Sequence, residues 1–68
     1  MITVGSVVDV QPWGKRGMVI DIRRRKQITV KTYNSTIFGF IDDPAITPVS
    51  PLLSSLWKME NPKISTTN

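Results

Sequence analysis

Three glycines divide the first half of the chain into short β-like runs, and this punctuation limits what the chain can fold into. Gly5, Gly14 and Gly17 separate alternating segments, and a basic run then leads into a further segment that reaches Val30. Glycine permits turns with positive φ, and a period-two alternation of apolar and polar residues is typical of half-buried strands. The pattern predicts a small β unit built from hairpins.

The length and the residue types exclude several function classes. The chain has 68 residues, enough for one domain, and contains no Cys and no His. It therefore lacks disulfides, thiolate metal ligands and the usual general base near neutral pH, so we expect no enzyme, no catalytic residues, no metal and no cofactor. No apolar run approaches the roughly 18 residues of a membrane-spanning helix, and no secretory leader is recognisable, so we expect a soluble, cytoplasmic protein without membrane contact.

Alternating apolar and polar residues predict five short strands. They are placed over 6–11, 18–23, 28–33, 37–41 and 45–49. A break at 12–14 follows the first strand, and the connection through Lys15 and Arg16 to Gly17 is predicted as a turn. Pro48 donates no backbone hydrogen bond, so the fifth strand is predicted at an edge of the sheet.

The fourth strand leaves open which side chains face the core. Phe38 and Phe40 compete with Ile37 and Ile41 for the inward face. Gly39 stands between them, and a glycine inside a strand indicates a bulge or a close approach of the backbone to another group.

A helix is predicted after the strands. Ser50 followed by Pro51 is a start signal, and Pro62 ends the helix. We therefore divide the chain into a barrel over 1–49, a helix over 50–61 and a flexible tail over 62–68. The helix is expected to pack on the barrel, plug one of its ends or dock on a partner. The helix carries an apolar stripe, which is a surface for a protein partner unless it packs on its own barrel. The stripe consists of Leu52, Leu53, Leu56 and Trp57, with Met59 beyond them.

Positive charge is concentrated in the first part of the chain. The net charge is +4, but residues 1–41 carry seven basic and two acidic side chains, a balance of +5. Guanidinium groups match phosphate oxygens, so such a cluster favours contact with a nucleic-acid backbone. The other interpretation is a solvated hairpin tip that opposes edge-to-edge aggregation. The candidate phosphate contacts are Arg23, Arg24, Arg25 and Lys26, with Lys15 and Arg16 in the preceding loop.

Two aromatic residues lie near these cations in sequence. Trp13 precedes Lys15 and is either a stacking platform for an unpaired base or a cover for one end of the core. Tyr33 has the alternation parity of Lys31, and the nucleic-acid interpretation is strengthened if Lys31, Tyr33 and Trp13 share one surface. Asp42 and Asp43 beside Pro44 are interpreted as turn residues, because two carboxylates without further ligands make no metal motif.

A family resemblance rests on the first half of the chain. The residues that carry it are Gly5-Ser6-Val7-Val8-Asp9-Val10, then Gly14, Gly17, Val19, Ile22, Ile28 and Val30. Over about residues 4–33 this pattern resembles the KOW motif of Src-homology-3-like barrels, which occur in ribosomal proteins and transcription elongation factors. The resemblance implies binding of RNA, DNA or protein through the loops around the motif, and it carries over no catalytic residue. Consecutive hairpin turns fall at opposite ends of a barrel, so the two basic loops are expected about 17–20 Å apart.

The sequence therefore predicts a mainly β protein, a small five-stranded Src-homology-3-like barrel with a short C-terminal helix. Its first predicted function is nucleic-acid binding without catalysis, tied to transcription or translation machinery. The alternative is a protein-interaction module, a small regulator or inhibitor that docks on a larger enzyme or complex. Fold analogy with plasmid-type dihydrofolate reductase adds an enzyme assembled by oligomerisation as a third interpretation. The composition leaves homo-oligomerisation open.

Overall fold

The chain forms one curled antiparallel sheet followed by helices, described over residues 2–65 of a computed structural model. The sheet is a half-barrel with the strand order β4-β3-β2-β1-β5. The five strands confirm the predicted mainly β class and strand number. They are β1 (Val7–Val10), β2 (Lys15–Ile22), β3 (Gln27–Lys31), β4 (Thr36–Phe40) and β5 (Ile46–Pro48).

The strand order follows from three successive hairpins and one return. Strands β1 to β4 pair with their chain neighbours, and β5 comes back to pair with the free side of β1. Val10 lies opposite Ile46 in that pairing, and Val8 lies opposite Pro48. Pro48 therefore stands on an edge strand, as predicted from its missing donor.

The inner face of the sheet holds the larger of two apolar clusters. Its members lie on four strands and are the inward positions of the period-two alternation. Each buried valine or isoleucine contributes about 1.5–3 kcal/mol by leaving water. The cluster consists of Val8, Val10, Val19, Ile28, Val30 and Ile46.

The outer face is covered only over β1 and β2. Helix α1 (Pro51–Glu60) begins with Pro51 at its first position and lays Trp57 on Val7 and Met18. Helix α2 (Pro62–Ser65) adds Ile64 to the same cluster. Residues 62–65, expected in a flexible tail, thus form a helical turn with a buried apolar side chain, while the rest of that expected tail lies outside the described residues. Neither α1 nor α2 is long and apolar enough to cross a bilayer.

The first hairpin corrects the predicted start of the second strand. The turn is complete at Gly14, which has a φ of 63°, and Lys15 already pairs with Val10. The predicted turn through Lys15 and Arg16 is therefore wrong, because both residues continue the ladder of β2. A register shift between Val19 and Asp21 also interrupts the alternation of this strand.

The position of β5 beneath β4 shows which side chains of β4 face the core. Ile37 and Ile41 pack against the inner cluster, and Phe38 and Phe40 point outward. A Cβ on Gly39 would lie 2.9 Å from Cδ1 of Ile46, so the glycine marks a close approach, as its position in the strand predicts.

Candidate functional site

Four consecutive cationic residues form the connection between β2 and β3, here called the basic turn (Arg23–Lys26). All four side chains are exposed. Arg24–Lys26 make a single 3₁₀ turn in which Arg25 and Lys26 have φ values of 62° and 61°. This left-handed conformation is unfavourable for residues that carry a Cβ, at about 1–2 kcal/mol each. The tight turn displays its cations to solvent at a cost in backbone energy.

Backbone hydrogen bonds fix the basic turn on both sides. The Arg23 N–H donates to the carbonyl of Gln27 at 2.7 Å, which closes the hairpin. The Ile41 N–H donates to the carbonyl of Lys26 at 2.8 Å, so the chain leaving β4 braces the turn from the next strand. The backbone of the basic turn is therefore held in place by the sheet.

The ion pairs within the basic turn divide its cations into two kinds. Arg23 Nε lies 2.9 Å from Asp21 Oδ2, and Lys26 Nζ lies 3.8 Å from Asp42 Oδ2. Arg24 and Arg25 form no ion pair with any residue in 2–65. Two guanidinium groups are thus available to an external anion without breaking an internal contact.

Two exposed phenylalanines lie next to the basic turn. Phe40 stands opposite Gln27 in the ladder, and Phe38 stands opposite Thr29. Arg23 and Phe38 line one shallow depression together with Gln27 and Thr29. With Lys31 opposite Thr36, these outward positions form a surface of β3 and β4 that we call the aromatic patch. It consists of Gln27, Thr29, Lys31, Thr36, Phe38 and Phe40.

The loop that holds Trp13 lies at the other end of β2. Lys15 begins that strand and Ile22 ends it, a separation of roughly 23 Å at about 3.3 Å per residue. Trp13 is 67% exposed and lines a depression with Lys15 and the start of β4. It lies apart from the basic turn.

Arg16 forms an ion pair with Asp9 on the sheet. Its Nε donates to Asp9 Oδ1 at 2.7 Å and its Nη2 donates to Asp9 Oδ2 at 3.2 Å, a two-pronged contact across the β1–β2 ladder. The hydrogen bond to Asp9 and the attraction of its charge raise the pKa of Arg16 above the usual value, against the opposing effect of burial. Arg16 therefore has a structural partner, unlike Arg24 and Arg25.

The remaining predicted contacts are divided between two places. Lys31 lies on the outer face in register with Thr36 and Met18, inside the aromatic patch. Tyr33 lies beyond the end of β3 and lines a depression with the junction of α1 and α2. The structure thus brings Lys31 toward the phenylalanines and places Tyr33 and Trp13 in separate depressions, so the three residues do not form one platform.

The apolar stripe of α1 points mostly to solvent. Trp57 is 8% exposed and anchors the helix, whereas Leu52 and Met59 are 73% and 77% exposed. Leu53 and Leu56 are exposed as well. The stripe does not pack on the barrel as a whole, because α1 contacts the sheet through the single side on which Trp57 lies.

Asp9, Asp21 and Asp42 form ion pairs, and Asp43 serves a turn. Asp43 Oδ1 accepts the Ala45 N–H at 2.9 Å, and the Asp43 N–H donates to the Phe40 carbonyl at 3.1 Å. This is the turn role predicted for the pair. Within residues 2–65, no group of three or more His, Cys, Asp or Glu side chains is placed to hold a metal ion.

Phe38 and Phe40 are the residues of this region that the sequence interpretation did not select. The available signal was their i, i+2 spacing around Gly39, which puts both rings on one face of a strand. Choosing that face as the outer one required the position of Ile46 beneath Gly39.

Comparison with known proteins finds no relative of this chain. No protein-family profile matches the chain, and neither a curated protein nor a solved structure matches it.

Proposed function

We propose that this protein is a nucleic-acid-binding module without enzymatic activity, and that it holds the sugar–phosphate backbone with the basic turn. The observation that carries the proposal is the pair Arg24 and Arg25, exposed on a braced turn and without an internal ion pair. Guanidinium groups donate two parallel hydrogen bonds to phosphate oxygens, and they remain charged at every physiological pH.

The backbone of the turn supports the same interpretation. Glycine or asparagine fits a left-handed position better than Arg or Lys does, yet Arg25 and Lys26 occupy two such positions. A turn selected only to join β2 and β3 needs no cation there. Binding through such contacts is insensitive to base sequence, since phosphates are the same at every nucleotide.

The proposal predicts a measurable salt dependence. Two phosphate contacts on a single strand give a slope of log K against log salt of about −1.4. We expect the Arg24→Ala/Arg25→Ala variant to lose that contribution in a fluorescence-anisotropy titration at about 50 and 200 mM salt. Lys58→Gln/Lys63→Gln is the charge-matched control, since it removes two positive charges from the helices. Binding that is unchanged in the arginine variant, or equally weakened in the control, contradicts a site on the basic turn.

We also infer that the half-barrel is a Src-homology-3-like barrel of the KOW type. Support comes from the five strands, the successive hairpins that join β1 to β4 and the return of β5 to β1. Such a module fits a cytoplasmic role beside transcription or translation machinery. An experimental structure in which β4 and β5 diverge without curling contradicts this assignment.

A second function, docking on another protein, is favoured by the outer side of α1. Leu52, Leu53, Leu56 and Met59 are exposed there while Trp57 holds the helix on the sheet. Exposed apolar side chains clustered on a helix are a common recognition surface. Docking through α1 would make the protein a small regulator or inhibitor of a larger complex.

The two functions are separated by one pair of variants. Leu52→Glu/Leu56→Glu is expected to abolish co-purification of a protein partner and to leave the salt-dependent titration unchanged. Arg24→Ala/Arg25→Ala is expected to do the reverse. A partner that is retained by the glutamate variant contradicts docking through α1.

A further inference from the structure

We propose that the aromatic patch makes this protein specific for single-stranded nucleic acid, with two successive unpaired bases stacked on Phe38 and Phe40. This inference rests on the proposed function, because the basic turn supplies the backbone contacts beside the patch. It adds a ligand class that the basic turn alone does not select, since phosphates occur on single strands and duplexes alike.

Both rings of the aromatic patch are exposed to solvent. Phe38 is 75% exposed and Phe40 is 48% exposed, although both are large apolar side chains on a strand. Helices α1 and α2 cover Val7 and Met18 on the same outer face and leave the β3–β4 half open. Neighbouring apolar rings held on a rigid sheet are suited to stacking, and every base offers a face for it.

The two rings are spaced more widely along β4 than successive bases are in a duplex. Phe38 and Phe40 are two residues apart on β4, which puts their Cα atoms about 6.8 Å apart at about 3.4 Å per residue. Successive bases in a duplex strand are about 3.4 Å apart. A strand that places one base on each ring must therefore be extended to about twice its duplex rise. Paired bases cannot reach this arrangement, because their faces are covered by the neighbouring pairs.

Polar and charged side chains surround the two rings. Thr29 and Gln27 stand opposite Phe38 and Phe40 in the ladder, so their polar side chains flank the two rings. Arg23 lines the depression at Phe38, and the ion pair to Asp21 at 2.9 Å holds its guanidinium on the outer face. Lys31 lies at the far end of the patch. Cations at both ends complement a backbone that enters and leaves across the two rings.

The experiment uses the full chain and four labelled probes. The single strands are oligothymidylate and oligouridylate of about 12 nucleotides, a length typical of single-strand sites. The duplexes are a DNA and an RNA hairpin of the same charge. Phe38→Leu and Phe40→Leu remove each ring and keep an apolar side chain, and Phe38→Tyr/Phe40→Tyr keeps both rings as the matched control. Thermal unfolding verifies that each variant is folded.

We expect the wild-type protein to prefer the single strands and each leucine variant to lose about 5- to 150-fold in affinity for them. Duplex affinity should stay unchanged in these variants, and the tyrosine variant should bind like the wild type. The thymidylate and uridylate probes show whether DNA or RNA is the preferred source of the same single-stranded chemistry.

Several outcomes overturn the inference. If single strands and duplexes bind equally and the leucine variants bind as the wild type does, the stacking site is refuted while the basic turn stands. If no probe binds, the proposed function fails together with it. If Phe38→Leu changes the sedimentation of the free protein and leaves single-strand affinity unchanged, a second copy of this chain is the occupant of the patch.

Discussion

The two halves of the outer face carry apolar side chains in the same alternation, yet only one half is covered. Over β1 and β2, Val7 and Met18 are buried beneath Trp57 and Ile64. Over β3 and β4, Phe38 and Phe40 stand in solvent beside the basic turn. One half stabilises the fold with its apolar residues, and the other displays them.

The difference shows that burial on this face depends on where the C-terminal helices pack. Helix α1 is 10 residues long and reaches the β1–β2 half through one large side chain. Through Trp57 the helix packs on Val7 of β1 and Met18 of β2, while Phe38 and Phe40 on β4 stay exposed. An aromatic residue on the covered half is a core residue, and the same residue on the open half is a surface for ligands.

The largest expected effect is at the residue that covers the first half. Trp57→Ala should lower the free energy of unfolding by about 3–5 kcal/mol, because a large buried side chain is deleted. A domain of this size has only about 3–10 kcal/mol in total, so the variant is expected to lose between about a third and all of its stability. Phe38→Ala on the open half should change stability by less than about 0.5 kcal/mol. Chemical denaturation checks both, and similar losses at the two positions contradict the division of the outer face.

A second pair of substitutions compares the glycines of the two halves. A Cβ on Gly17 would lie 2.7 Å from the carbonyl oxygen of Lys31, a backbone atom that cannot move freely. A Cβ on Gly39 would meet only Cδ1 of Ile46, the end of a flexible side chain. We expect Gly17→Ala to cost about 1–3 kcal/mol and Gly39→Ala about 1 kcal/mol or less. The order of the two melting temperatures is the measurement, and a larger loss at Gly39 is inconsistent with the described register.

The smallest effect concerns two ion pairs of β2, one with its partner strand β1 and one with the basic turn. The Asp9–Arg16 contact is two-pronged and half-buried, whereas Asp21–Arg23 is a single contact in solvent. Asp9→Asn should lower stability by about 1 kcal/mol and Asp21→Asn by about 0–0.5 kcal/mol. Double-mutant cycles with Arg16→Gln and Arg23→Gln isolate the pair energies. Raising the salt concentration should erase the second energy first, and a larger coupling at Asp21 contradicts the ranking.

The fold was largely predictable because its signals are local. Gly14 marks the first hairpin, alternation marks the strands, and Ser50 with Pro51 marks the start of α1. The errors lie where a partner strand decides. Lys15 and Arg16 look like turn residues in isolation and join β2 because Val10 and Asp9 pair with them.

The candidate site was predictable only in part. The basic turn is visible in sequence as four adjacent cations, since no folding information is needed to place them together. The aromatic patch is not, because both faces of β4 are apolar and alternation alone gives no direction. Trp13 and Tyr33 lie near cations in sequence, but they line separate depressions in the structure.

The return of β5 to β1 has a consequence for the order in which the molecule assembles. Three of the four strand pairings join chain neighbours, whereas Val8 opposite Pro48 closes a long loop. Closing long loops costs more chain entropy, so the hairpins should form early and the fifth strand late. Helix α1 follows β5 directly in the chain, so we expect it to dock on Val7 and Met18 together with or after that closure. The folding transition state is then expected to resemble a bare meander, in which both halves of the outer face are still alike.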